Sequence, residues 1–168
     1  ENSAESMMIT DADGTILNVN PAFTSLTGYT AADAIGQTPR MLKSDRQNTE
    51  FYASMWNSLL TTGTWQGELW NRHKSGDLFA ERLTINSIRR PDGTTERRVA
   101  LFHDITAQKR SEEVIYHQAH FDALTGLPNR YFFFDQLSKE LSRARRVGGR
   151  VGLLFMDLNK FKPVNDQY

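Results

Sequence analysis

The 168-residue sequence has no cysteine. Disulfides, thiolate metal sites, a cysteine nucleophile and any cysteinyl adduct are therefore excluded. It also has no apolar run near the ~20 residues that a membrane-spanning helix requires, and no signal-peptide core. These residues are expected to be soluble, although a longer parent can be tethered to a membrane outside them. Net charge is missing as well, with Lys+Arg 20 against Asp+Glu 20. That balance hides an asymmetry: up to Ala107 there are 10 basic and 13 acidic residues, and from Gln108 onward 10 basic and 7 acidic. What is present is a hydrophobic share of 39% with aromatics at 11%, enough to build a core and to argue against disorder.

The first half reads as short strands and helices with clear turn punctuation. Two β-branched runs, Ser6-Met7-Met8-Ile9-Thr10 and Thr15-Ile16-Leu17-Asn18-Val19, flank the hairpin turn Asp11-Ala12-Asp13-Gly14. Asn20 can cap a helix that opens on Pro21 and stops at Gly28, and a single helical turn is expected between Thr30 and Gly36. A longer helix runs from the Asn48 cap to about Thr62, with Phe51, Met55 and Leu59 stacked and Gly63 as its stop. Three strands then meander over residues 65–73, 78–89 and 95–104, turning at Lys74-Ser75-Gly76-Asp77 and Arg90-Pro91-Asp92-Gly93. In the middle strand Phe79, Glu81, Leu83 and Ile85 share one face, while Arg82, Thr84 and Asn86 share the other. The pattern is α+β: an antiparallel sheet with helices gathered on one side.

At Asp104-Ile105-Thr106 the texture changes. Residues 107–120 are helix-compatible but poor in apolar positions, so this helix reads as a connector that needs a partner. A turn-rich segment leads to a helix over residues 131–146, with Phe134, Leu137 and Leu141 on one face. Residues 151–157 read as a short apolar strand ending in Asp157. Such a strand needs neighbours, and none remain in the sequence, so this second domain is expected to be incomplete.

Residues 1–107 resemble a PAS domain. The resemblance rests on Asn18-Val19-Asn20-Pro21-Ala22-Phe23, Leu26-Thr27-Gly28-Tyr29, Ile35-Gly36, the segment 65–77 and the closing Asp104-Ile105-Thr106. It implies a five-stranded antiparallel sheet with helices over one face, an interior pocket for a cofactor or metabolite, and Asp104, Ile105 and Thr106 as the launch of an output helix. Flavin-binding members place an asparagine five residues ahead of the turn glycine, which Asn71 matches against Gly76, and redox members add a tryptophan matched by Trp65. A second flavin-contacting asparagine aligns with Glu81, and Pro39 stands where light sensors carry their reactive cysteine. Trp65, Asn71, Glu81 and Phe102 are thus the expected pocket residues. A flavin, a small metabolite and an interior filled by side chains all stay open, and Trp56, Trp65 and Trp70 can equally be core. Haem finds no histidine in the helix 48–62; the four histidines are His73, His103, His117 and His120.

Residues 121–168 resemble the opening of a GGDEF domain, the diguanylate cyclase fold. Asp122-Ala123-Leu124-Thr125-Gly126-Leu127-Pro128-Asn129-Arg130 is similar to that family's opening signature. Leu154-Phe155-Met156-Asp157-Leu158-Asn159-Lys160-Phe161-Lys162-Pro163-Val164-Asn165-Asp166 is similar to its first nucleotide-contact motif. The resemblance implies joining of two GTP molecules into cyclic di-GMP. It gives Asp157 and the Leu158 carbonyl to Mg²⁺, Lys160, Phe161 and Lys162 to the phosphates, and Asn165 to the guanine edge. The Gly-Gly-Asp/Glu-Glu-Phe hairpin would lie beyond Tyr168, so the chain itself is expected to be inactive.

The resulting expectation is a PAS sensor (1–107), a connector (108–120) and a GGDEF fragment (121–168) of a cytoplasmic diguanylate cyclase. Homodimerisation is expected through the PAS half, the residues before Met7 and the connector. The alternatives are a cofactor-free dimerisation module joined to a degenerate GTP-binding domain, or a parent that adds a phosphodiesterase domain. The basic residues Lys139, Arg143, Arg145, Arg146 and Arg150 read as a solvated helix face, and nucleic acid is not expected as a partner.

Overall fold

The computed structural model describes residues 5–156. The chain divides into two compact units, Glu1–Glu112 and Glu113–Tyr168, each taken by itself below.

The first unit is built on five strands, β1 (Ser6–Asp11), β2 (Ile16–Val19), β3 (Thr64–Arg72), β4 (Leu78–Arg89) and β5 (Thr95–Asp104). Between β2 and β3 lie α1 (Pro21–Thr27), α2 (Ala31–Ala34), a 3₁₀ turn (Pro39–Leu42) and α3 (Thr49–Thr62). The strands form one antiparallel sheet in the order β2-β1-β5-β4-β3. This is the expected α+β architecture.

Alternation along the strands decides which face is covered. Phe79, Glu81 and Leu83 on β4, Arg98, Ala100 and Phe102 on β5, and Ser6, Met8 and Thr10 on β1 are buried, and the residues between them on β1 and β5 are more exposed. The helices cover that inner face with Phe23, Ala34, Met55 and Leu59. Phe23 and Phe102 meet edge to face at the centre, with ring centroids 6.1 Å apart.

Local chemistry fixes the helix ends. The Asn20 side chain accepts from the Phe23 amide at 3.0 Å, caps α1, and also accepts from the Met7 amide at 2.9 Å, so one residue joins α1 to β1. Gly28 ends α1 at φ +75°, and a Cβ there would come within 2.5 Å of the His73 ring. Only glycine meets both demands.

Helix α4 (Thr106–His120) begins in the first unit and continues into the second. In the second unit, Asp122 accepts from the Thr125 amide and hydroxyl at 2.9 and 2.7 Å, which closes the turn. Asn129 caps α5 (Arg130–Val147) by accepting from the Phe132 amide, and its own amide donates to the Ala119 carbonyl at 2.8 Å. The Phe121 and Phe132 rings meet at a tilt of 51° with centroids 5.4 Å apart.

One expectation for this unit is corrected. Residues 151–156 lie outside any helix or strand, with Leu154, Phe155 and Met156 exposed. A strand satisfies its backbone groups only by pairing, and among the described residues nothing pairs with this segment. The apolar side of α5 carries Phe134, Leu137 and Leu141 as read, yet no residue of α5 is buried.

Candidate functional site

The inner face of the sheet ends in a polar cluster. Asn71 on β3 and Glu81 on β4 are both buried, at 7% and 2% exposure, and the Asn71 amide donates to Glu81 Oε1 at 3.0 Å. Glu81 Oε2 has no partner among the described residues, and neither has the buried hydroxyl of Tyr52 on α3. Tyr52 sits close enough to feel the Glu81 charge. Burial raises the tyrosine pKa, and Glu81 raises it further. Lys43 lies over the outer face of the Tyr52 ring at 5.0 Å, and its backbone bridges to Asn71. Unpartnered polar atoms in a core are costly, so this cluster is where the interior departs from simple packing.

Of the expected pocket residues, Asn71 and Glu81 are therefore brought together. Phe102 lies deeper, against Phe23. Trp65 is half-buried and its indole crosses Gly67, where a Cβ would meet ring carbons at 2.5 and 2.7 Å. Phe51 packs edge-on against the same indole at 5.8 Å. Trp56 and Trp70, readable as core, lie outside it beside arginines: Trp56 is exposed with Arg98 at 5.2 Å, and Trp70 is half-buried with Arg46 at 4.5 Å.

The launch residues surround β4 one position from Glu81. The Ile105 amide donates to the Ala80 carbonyl at 2.8 Å, and the Ala80 amide donates to Thr106 Oγ1 at 2.8 Å. Asp104 Oδ1 accepts from the Thr106 amide at 2.7 Å, a side-chain cap on the first turn of α4. On the outer face Glu68 of β3 accepts from Arg82 at 2.9 Å, and its other carboxylate oxygen pairs with Lys109 of α4 at 2.7 Å. Lys109 also meets Glu112 at 3.4 Å. Hydrogen bonds from Lys109 and Arg82 hold the Glu68 carboxyl below its ordinary range.

Tyr52 and the Glu68–Lys109 pair escape a reading of the sequence. Both join positions far apart in the chain, and no local motif marks them. Asp157, Leu158, Lys160, Phe161, Lys162 and Asn165 lie outside the described residues. No helix among the described residues is long and apolar enough to cross a membrane.

Five antiparallel strands in this order, with short helices over one face and a helix leaving the last strand, define a sensor-type fold of the PAS class. The chain belongs to the PAS domain family, whose model matches residues 4–107. The model described as diguanylate cyclase, GGDEF domain, matches residues 119–168, a partial GGDEF region. Among curated proteins, a nitrogen fixation regulatory protein of Klebsiella oxytoca is 34% identical over 113 residues, covering 67% of this chain and 23% of the relative. The cyclic di-GMP phosphodiesterase PdeR of Escherichia coli K12 is 29% identical over 171 residues, covering 96% of this chain and 24% of the relative. The diguanylate cyclase DgcS of Shewanella oneidensis is 49% identical over 51 residues, covering 30% and 17%. The chain thus spans about a quarter or less of these relatives. Among solved structures, a PAS domain from Colwellia psychrerythraea superposes with TM-score 0.58 at 24% identity, over 61% of this chain and 87% of that one. The LOV domain of a blue-light activated histidine kinase from Erythrobacter litoralis EL346 superposes with TM-score 0.56 at 19% identity, over 61% and 96%. At these identities the likeness is one of fold.

Proposed function

We propose that this chain is the sensor and output joint of a cytoplasmic cyclic di-GMP signalling protein. Residues 1–107 sense, residues 108–120 connect, and residues 121–168 open the GGDEF domain. The observation that carries this is the succession of a PAS match and a GGDEF match within one chain. By resemblance to the GGDEF family, Asp157 and the Leu158 carbonyl would hold Mg²⁺, Lys160, Phe161 and Lys162 would hold the GTP phosphates, and Asn165 would hold the guanine edge in a complete GGDEF domain. Two GTP-loaded protomers must meet to form one product, so dimer geometry is the natural control point. The half-buried apolar residues Met7, Ile9, Val99 and Leu101 on the outer sheet face suit such self-association.

The test is product formation. Supplied with GTP and Mg²⁺, this chain is expected to form no cyclic di-GMP, whereas a chain extended through the Gly-Gly-Asp/Glu-Glu-Phe hairpin forms it. An extended chain that binds GTP without turning it over leaves a degenerate, regulatory GGDEF domain and ends the cyclase reading.

The sensor reading is that the Asn71–Glu81–Tyr52 cluster holds a small ligand. Its donor set fits the polar edge of a flavin: Asn71 supplies an amide, and Glu81 Oε2 and the Tyr52 hydroxyl are still unpartnered. A flavin would supply redox or light chemistry there. One observation favours a second reading, a cofactor-free dimerisation module: Phe23 and Phe102 already occupy the centre of the interior, with Phe51 and Trp65 packed against the core. Purified protein that shows a flavin band, or releases a molecule identified by mass, supports the ligand. A blank spectrum with nothing released supports the filled interior.

A further inference from the structure

Glu81 sits in a closed circuit of four residues. It pairs across the β4–β5 ladder with Asp104. Asp104 Oδ1 accepts from the Thr106 amide, Thr106 Oγ1 accepts from the Ala80 amide, and Ala80 directly precedes Glu81 in the chain. The start of α4 is therefore tied to a carboxyl that the core encloses.

That carboxyl has an unusual set of neighbours. The titratable groups facing it are Asp104 from β5 and Tyr52 from α3. Lys43 lies over the Tyr52 ring, and β3 presents the neutral Asn71. Asn71 gives one hydrogen bond to Oε1, and Oε2 has no partner among the described residues. As a neutral acid, Glu81 keeps the Asn71 bond and presents an O–H. As a carboxylate, it is a buried charge opposite the Asp104 carboxylate, with one neutral donor to offset it. The Tyr52 hydroxyl, itself unpartnered, makes no hydrogen bond to Glu81 but lies close enough to feel its charge.

We propose that Glu81 is a proton-binding site through which the PAS interior sets the start of helix α4, so that proton uptake holds the Asp104–Thr106–Ala80 joint closed and proton release loosens it. The coupling is electrostatic and short. Ionised Glu81 repels the carboxylate that caps Thr106, and the cap is the group that can move, since Asp104 is exposed while Glu81 is not. This goes beyond the sensor reading above and needs no bound molecule, because the group, its neighbours and the joint all belong to the chain.

The titration lies in a useful range. Burial pushes Glu81 up to about 8; the Asn71 hydrogen bond opposes that rise and the Asp104 charge adds to it. The proton is therefore held more tightly in the fold than in the unfolded chain. The stability this contributes is complete at acid pH, declines once the pH passes the ordinary glutamate value of 4.5, and is gone above about 8.

The test is NMR of the whole chain from pH 5.5 to 9.5, following the Glu81 side-chain carboxyl carbon and the backbone amides of Ala80, Ile105, Thr106 and Lys109. The expected result is a carboxyl midpoint above pH 7, with the four amides shifting at the same midpoint. Glu81→Gln removes that shared transition. Asp104→Asn lowers the carboxyl midpoint, because the like charge is gone, and Thr106 then no longer follows it. A carboxyl that titrates in the ordinary glutamate range overturns the proposal, and so does a high midpoint that the amides ignore. If Glu81→Gln fails to fold, the wild-type and Asp104→Asn titrations decide between the same two results. A ligand spectrum, present or blank, bears on the sensor reading and leaves these outcomes separate.

Discussion

Phe102→Ala is expected to cost the sensor unit about 3–5 kcal/mol of folding stability. Phe102 is 1% exposed and lies on the inner face of β5, the central strand of the sheet. Its neighbours across the ladders are Ser6 on β1 and Leu83 on β4, and Phe23 from α1 meets it edge to face with an interplanar angle of 81°. Truncation removes the transfer energy of a benzyl group and leaves a cavity whose walls are strands on both sides, which cannot collapse into it without breaking register. The aromatic pair is also lost, adding about 0.5–1.5 kcal/mol to the simple area term. A domain of this size has about 5–15 kcal/mol in total, so the variant should be marginal at ambient temperature. At a urea m-value of about 1–3 kcal/mol/M its midpoint should fall by at least about 1 M. Phe102→Leu, which keeps much of the volume, should lose less than half as much. An alanine variant that unfolds within experimental error of the parent would mean that Phe102 is not the centre of the core.

The sheet was readable from the sequence because each of its strands announces itself locally. Alternation places Phe79, Glu81, Leu83 and Ile85 on one face without reference to any other part of the chain. The turns at Asp13-Gly14 and Gly76-Asp77, and the caps at Asn20 and Asn48, are likewise decided within a few residues. The resemblance to PAS domains then supplied the sheet as a whole, which local pattern could not: the neighbours β1 and β5 are almost the full unit apart in sequence.

What stayed hidden has the opposite character. Glu68 and Lys109 meet across 41 positions, and nothing in either segment names the other. Tyr52 reads as an ordinary helix residue until α3 is laid over the sheet and its hydroxyl is found buried. Trp56 and Trp70 illustrate the converse. Large aromatic side chains suggest core, yet Trp70 alternates onto the outer face of β3 and Trp56 lies at 41% exposure beneath Arg98. Arg98 in turn is buried because its guanidinium reaches back to the Asp11 and Ala12 carbonyls, which makes it a brace for the first hairpin. A charge count cannot distinguish such a residue from a solvated arginine. The segment 151–156 fails for a different reason, since an apolar run specifies a strand only when another strand is there to pair with it.

Thr106→Val is expected to cost about 1–3 kcal/mol, the penalty for leaving a buried backbone donor without its partner. Valine keeps the shape of threonine and removes only the hydroxyl. In the parent that oxygen accepts from the Ala80 amide at 2.8 Å, and Thr106 is 8% exposed, so water does not readily replace it. The loss falls at one place. The Ala80 carbonyl still receives the Ile105 amide, and Asp104 still caps the Thr106 amide, so β4 and β5 remain paired while the first turn of α4 loses one of its anchors. The anchor left on the other side of the sheet is the Glu68–Lys109 ion pair, and a pair as exposed as this one is worth only about 0–1 kcal/mol. Amide exchange should therefore accelerate at Ala80 and at Lys109, whose amide bonds the Ile105 carbonyl at 2.9 Å, by more than it does at Leu83 in the middle of β4. Thr106→Ser restores the hydroxyl and should restore both exchange rates. Equal acceleration at all three amides would show a uniform loss of stability and no special joint. If Ala80 and Lys109 respond together while Leu83 stays protected, Thr106 is the anchor that holds the first turn of α4 against β4.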